Sequence, residues 1–181
     1  GLRLLGEDAD THVVVLVAKK PAPEVAEHLH GLLANLGKPV VVRYLGQARG
    51  DQRDGVTYAA DLDRAAQAAL DLLEGRAPSD APPTTPDASL LEPGAGRLVG
   101  LFGGGSLASE ATLILAAAGH ETIPPEVPLG EGRPLPGEGH LVVDLGDDVY
   151  TVGKPHPMVD QTTRCGVLRT ACADPRVGLV L

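Results

Sequence analysis

The chain has 181 residues, 43% of them hydrophobic, enough to bury a sizeable core in one or two domains and too many for disorder throughout. Fifteen basic residues against 24 acidic ones leave a formal net charge of -9, and the basic residues are scattered, which argues against a nucleic-acid partner. Aromatic residues make up only 2%, so base-stacking platforms and aromatic cages are disfavoured, and the core must be Leu, Val and Ala.

Residues 12–17 form a nearly continuous β-branched run, expected to be a strand buried on both faces of a parallel sheet. A helix follows, with Val25, Leu29, Leu32, Leu33 and Leu36 as its apolar stripe and Gly37 as its stop, while His28 and His30 are expected to face solvent. A second buried strand is read at 39–44. After a polar, Gly-containing stretch, Asp61 is expected to cap a helix whose stripe is Leu62, Ala66, Ala69, Leu70 and Leu73. Strands alternating with helices imply βαβ units and right-handed crossovers.

Residues 75–96 turn to Pro, Ala, Ser, Asp and Thr, the composition of an exposed linker. The pattern then restarts with a strand at 98–102, the turn Gly103-Gly104-Gly105-Ser106, and a helix to Ala118 with Leu107, Ala111, Ile114, Leu115 and Ala118 buried. A second Pro/Gly-rich loop covers 124–139. Strands are expected at 140–145 and 149–152, turning at Gly146-Asp147, then a helix over 161–173 capped by Asp160 and a buried strand at 176–181. The expected organisation is thus α/β, two three-layer parallel-sheet units at 1–74 and 97–181 joined by a Pro-rich linker.

Cys165 and Cys172 lie seven apart on one helix, about 10 Å along its axis, too far to bridge each other, which suits a reducing, cytoplasmic compartment. No apolar run approaches the ~18 residues of a membrane span, and no signal pattern opens the chain.

Glycines between a strand and a helix let a ligand approach the backbone while the helix N-terminus presents free N–H groups, so Gly103, Gly104, Gly105 and Ser106 are candidate phosphate-binding residues. The competing reading is a tight turn with Ser106 as N-cap. In Gly153-Lys154-Pro155-His156-Pro157-Met158-Val159-Asp160 two prolines fix the chain around His156, a candidate acid–base residue, with Lys154 and Asp160 as further polar groups. The competing reading is a rigid turn with Asp160 as a cap. Asp144, Asp147 and Asp148 suit either one or two oxygens for Mg2+ or, the favoured reading, a solvated turn. His12, His28, His30, His120 and His140 show no ligand spacing, so no resident metal site is expected.

The segments from Gly100 to Leu107, from Val143 to Asp148 and from Gly153 to Asp160 resemble the FdrA family of the succinyl-CoA synthetase (NDP-forming acyl-CoA ligase) superfamily. Residues 4–42 resemble the flavodoxin-like domain of the synthetase α subunit, and residues 98–181 the CoA-ligase domain of its β subunit. The resemblance implies a flavodoxin-like fold, CoA and nucleotide as co-substrates, and partner subunits or a homo-oligomer. It implies a relay histidine within 52–58, where this sequence has none. It also implies that domains for CoA and nucleotide lie outside this sequence, so the 181 residues are expected to be a piece of a longer protein and inactive alone.

The leading expectation is an acyl-CoA ligase module binding a phosphoryl or acyl-phosphate group at 103–106. A subunit of an oxamate-type carbamoyltransferase using carbamoyl phosphate, and a non-catalytic assembly or regulatory subunit, stand beside it.

Overall fold

The computed structural model describes residues 1–47, 52–79, 94–125 and 127–181. They group into two units, 1–88 and 89–181. Most of the expected linker, residues 80–93, lies outside the described residues.

In the first unit, helix α1 (Leu2–Glu7) precedes strand β1 (Val14–Lys19), helix α2 (Pro23–Ala34), strand β2 (Val40–Leu45), short strands β3 (Gln52–Arg53) and β4 (Val56–Tyr58), and helix α3 (Leu62–Leu73). Strands β1, β2 and β4 run parallel in the order β1-β2-β4-β3, with β3 antiparallel at the edge. Helix α2 packs on one face around Val14, Leu33, Val40, Val42 and Val56, and α3 on the other around Val41, Ala65 and Ala68, which makes three layers. All of β2 is buried, as its β-branched run predicts, each interior valine contributing about 1.5–3 kcal/mol. Asp61 caps α3 as expected, its Oδ1 accepting from Arg64 N at 2.7 Å.

Several expectations for this unit are corrected. β1 starts later than residue 12 and is an edge strand with one face open: Val15 and Val17 are about half exposed. On α2, Val25 is exposed and His30 is buried at 5%. On α3, Leu70 and Leu73 face out and the packed stripe is Ala65, Ala68, Ala69 and Leu72, because small side chains bring the helix axis close to the sheet. Asp71 is buried on that helix because it accepts hydrogen bonds from Gln67 Nε2, Arg76 Nη2 and Ser79 N at 3.1, 2.6 and 3.2 Å. The polar stretch before α3 contains a hairpin turning at Asp54-Gly55, both at positive φ.

The second unit runs β5 (Arg97–Phe102), α4 (Gly105–Ala117), β6 (Leu141–Asp144), α5 (Asp148–Thr151), α6 (Thr162–Ala173) and β7 (Val177–Val180), in a parallel sheet ordered β6-β5-β7. Its core joins Val99, Leu101, Leu141, Val143 and Leu145 to Tyr150 of α5 and to Val167 and Ala171 of α6, with Leu129 and Leu135 pressed in from the Pro/Gly-rich loop. Leu129 N donates to Tyr150 Oη at 3.0 Å, pinning that loop, and burial pushes the Tyr150 hydroxyl pKa up.

The strand expected at 149–152 is instead the short helix α5, capped by Asp147, whose Oδ1 accepts from Val149 N. The expected stripe of α4 is also overturned: Leu107 and Ile114 are 59% and 61% exposed, and the helix buries Ala108 and Glu110. A helix apolar on most sides has no phase for periodicity to detect.

Asp174 and Arg176 tie the end of α6 to the start of β7, with Arg176 Nη2 2.6 Å from Asp174 Oδ2. Hydrogen bonds from Arg176 hold the Asp174 carboxyl at about 2, below its model-peptide value of 3.8. A depressed carboxylate stabilises the fold above its unfolded pKa and loses that contribution as pH falls through the folded value. Stability of the second unit is therefore expected to decline between about pH 4 and pH 2, and Asp174→Asn should flatten that decline in acid-unfolding curves.

Candidate functional site

The site is built at the carboxyl edge of the second sheet, where open α/β sheets receive ligands. Strand β5 ends at Phe102, which pairs with Asp144 at the end of β6, and the chain turns through Gly103 and Gly104 into α4. Gly104 is the N-cap with φ of -174°, extended backbone that any residue adopts, and no side chain caps the helix. Ser106 is therefore not the cap; it lies in the first turn, beside the free N–H groups that point out of the helix end.

Three further segments converge on this turn. Arg164, in the first turn of α6, places Nη2 2.5 Å from where a Cβ on Gly103 would stand. Its Nε is buried without a hydrogen-bond partner among the described residues. Asp144 places Oδ2 2.9 Å from the corresponding point on Gly105, while its Oδ1 accepts from Gly146 N at 2.8 Å. His156 comes in from the Pro-His-Pro segment: a Cβ on Gly146 would lie 2.8 Å from His156 Nε2, 3.0 Å from Gly103 O and 3.1 Å from Asp144 Oδ1. Glycine at 146 is thus required by close approach. His156 Nδ1 accepts from Met158 N at 3.2 Å, which leaves the proton of the neutral ring on Nε2, the nitrogen at the turn.

The sequence-derived residues divide accordingly. Gly103, Gly104, Gly105, Ser106 and His156 are brought together. Asp160 is not: it accepts from Thr162 N and Thr162 Oγ1 at 2.8 and 2.6 Å, bonds that lower its pKa, and it stands one residue before Gln161, which is the N-cap of α6 in place of the expected Asp160. Lys154 is exposed, and its main-chain N–H donates to Thr151 O. Asp147, expected as a solvated turn residue, is instead the cap of α5, and Asp144 stands beside the glycine turn. Arg164 and Gly146 were missed; an arginine in the first turn of a helix carries no motif, and only the spatial meeting of α6 with the β5 turn reveals it.

The hairpin within residues 52–58 contains no histidine of its own but packs against one from α2. Buried His30 is held by that hairpin, Nδ1 2.8 Å from Tyr58 Oη and Nε2 3.1 Å from Asp54 Oδ2. A carboxylate only accepts, so Nε2 carries the proton and Tyr58 donates to Nδ1. Arg53 grips Glu27 of α2 through two bonds of 2.7 and 2.8 Å, tying the same hairpin to the same helix. With both ring nitrogens engaged, His30 clamps the fold and offers no free nitrogen to a phosphoryl group.

Residues 101–181 match the family model described as CoA-ligase. The chain is also 31% identical over 194 aligned residues to the uncharacterized protein YahF of Escherichia coli (strain K12), an alignment covering 98% of this chain and 36% of that protein. The chain spans about a third of the length of that relative.

Proposed function

We propose that the CoA-ligase-type second unit holds a phosphoryl or acyl-phosphate group at residues 103–106, as a succinyl-CoA synthetase-like module of FdrA type. The observation that carries this reading is Arg164: a guanidinium with a buried, unpartnered nitrogen, directed at a glycine turn that opens onto the uncapped end of a 13-residue helix. Burial of such a group is costly unless something pairs with it, and a phosphoryl oxygen is the natural partner. The N–H groups of α4 and Arg164 would bind oxygens of the anion, and the Nε2–H of His156 would donate to a third oxygen as charge develops there.

CoA-ligase family members in general use CoA and a nucleotide, and a phosphoryl anion is the part of that chemistry these residues address. Any Mg2+ would enter with the phosphoryl group on its own phosphate and water ligands, since among the described residues no group of three or more His, Cys, Asp or Glu could hold a metal. Among them, too, no helix is long and apolar enough to cross a membrane, and the free thiols of Cys165 and Cys172 suit the reducing, cytoplasmic setting proposed for the chain.

Gly104→Val tests the reading. Its backbone is ordinary and nothing lies within 4 Å of the added Cβ, so the variant should lose under about 1 kcal/mol of stability while filling the space in front of the helix. Calorimetric titration with inorganic phosphate and acetyl phosphate is expected to show binding to the wild type and none to the variant. Equal affinity in both would remove the turn as an anion site.

A further inference from the structure

Beside the turn lies a groove of about 290 Å³ lined by Pro125, Val127, Val142, Val149 and Tyr150 among others, with Asp144 and Asp147 also in its wall. Asp144 is common to the groove and the turn, since the same residue abuts Gly105. The floor is the outer edge of the sheet: β6 is an outer strand, bridged by Thr122 at His140, and His140 O faces outward to accept from Ile123 N. By the two-residue alternation of a strand, the N–H and C=O of Val142 face the same way, into the groove.

From this we propose that the groove is the subsite for the organic tail of the phosphorylated ligand. It takes a short aliphatic chain ending in a hydrogen-bond donor, an ammonium or primary amide, and disfavours a chain ending in a carboxylate. The valine and proline walls accept methylene groups, and a volume near the ~300 Å³ lower bound of small-molecule pockets suits a short chain. Among the described residues the lining holds two carboxylates and neither Lys nor Arg, so a carboxylate tail meets like charge, while an ammonium or amide finds acceptors in the aspartates and in Val142 C=O. This inference rests on the phosphoryl reading of the turn, which fixes the other end of the ligand.

The test is calorimetric titration of the 181-residue chain with inorganic phosphate, propylphosphonate, 3-aminopropylphosphonate and 3-phosphonopropionate. Propylphosphonate should bind more tightly than phosphate, the amino-tailed compound more tightly again, and the carboxylate-tailed one about tenfold more weakly than the amino-tailed one. Val149→Lys, at an exposed position of the wall, should reverse the order of the two charged tails and leave inorganic phosphate within about twofold. Indifference to the tail, a preference for the carboxylate, or an unchanged order in Val149→Lys would overturn the groove assignment. Propylamine, followed by the methyl resonances of Val127, Val142 and Val149, separates the two ideas. Saturable shifts without any phosphate binding would sink the turn reading and keep the groove; phosphate binding without propylamine shifts would do the reverse.

Discussion

Arg164→Ala is expected to weaken phosphate binding about thirtyfold, ~2 kcal/mol, while leaving the thermal unfolding midpoint unchanged or slightly raised. The two effects differ in sign for one reason. In the free protein the guanidinium has a buried nitrogen without a partner, so its removal relieves a desolvation cost; with an anion present, its removal deletes a charge-assisted hydrogen bond. Arg164→Lys should recover only part of the affinity, because an ammonium lacks the planar fork of donors. Calorimetry with phosphate, paired with thermal melts of the three proteins, reads both quantities. Unchanged affinity in Arg164→Ala, or a large drop in its midpoint, would make the arginine a packing residue of α6.

Gly178→Ala is expected to destabilise the second unit by about 3 kcal/mol, measured by denaturant unfolding. Arg97 pairs with Val177 and Leu98 with Leu179, so Gly178 is the extra residue of a β-bulge on β7. A Cβ there would collide with the main-chain oxygen of Ala95, and a Cβ on Gly96, at φ of 105°, would stand 2.7 Å from Arg176 O. Both obstacles are backbone, which cannot rotate aside as a side chain can. A destabilisation below ~1 kcal/mol would mean that the bulge relaxes and that the register between β5 and β7 is soft.

Helices and strands were legible wherever a local signal was sufficient. The run Val40-Val41-Val42 reads as a buried strand and β2 is buried throughout, yet the similar run at 13–17 forms the edge strand β1 with one face open, so a β-branched run announces a strand and not its place in the sheet. Asp61 reads as a cap because a carboxylate one residue before an apolar helix can reach an N–H three residues on, and it does. Which side of each helix turns inward was far less legible. On α3 the leucines that dominate the stripe face out, since alanines permit the closer approach to the sheet, and on α4 apolar residues occur on nearly every side. The segment at 149–152 was misread because its β-branched residues favour a strand, whereas Asp147 supplies the cap of a short helix. The hairpin at Asp54-Gly55 did carry its turn signal in the sequence, and the short strands around it hid it.

The sequence by itself determined the α/β class, the glycine turn between β5 and α4, and the rigid Pro-His-Pro segment, because each depends on residues within a few positions of one another. Only the tertiary structure decided that these two segments meet, that Asp144 and Arg164 meet them, and that His30 turns inward to a hairpin more than twenty residues away. The physical reason is that backbone propensity and capping act over one or two helical turns, whereas a binding site is made by side chains whose separation is set by the packing of whole elements. Periodicity records how a helix repeats along its axis and carries no information about which neighbour its arginine will reach.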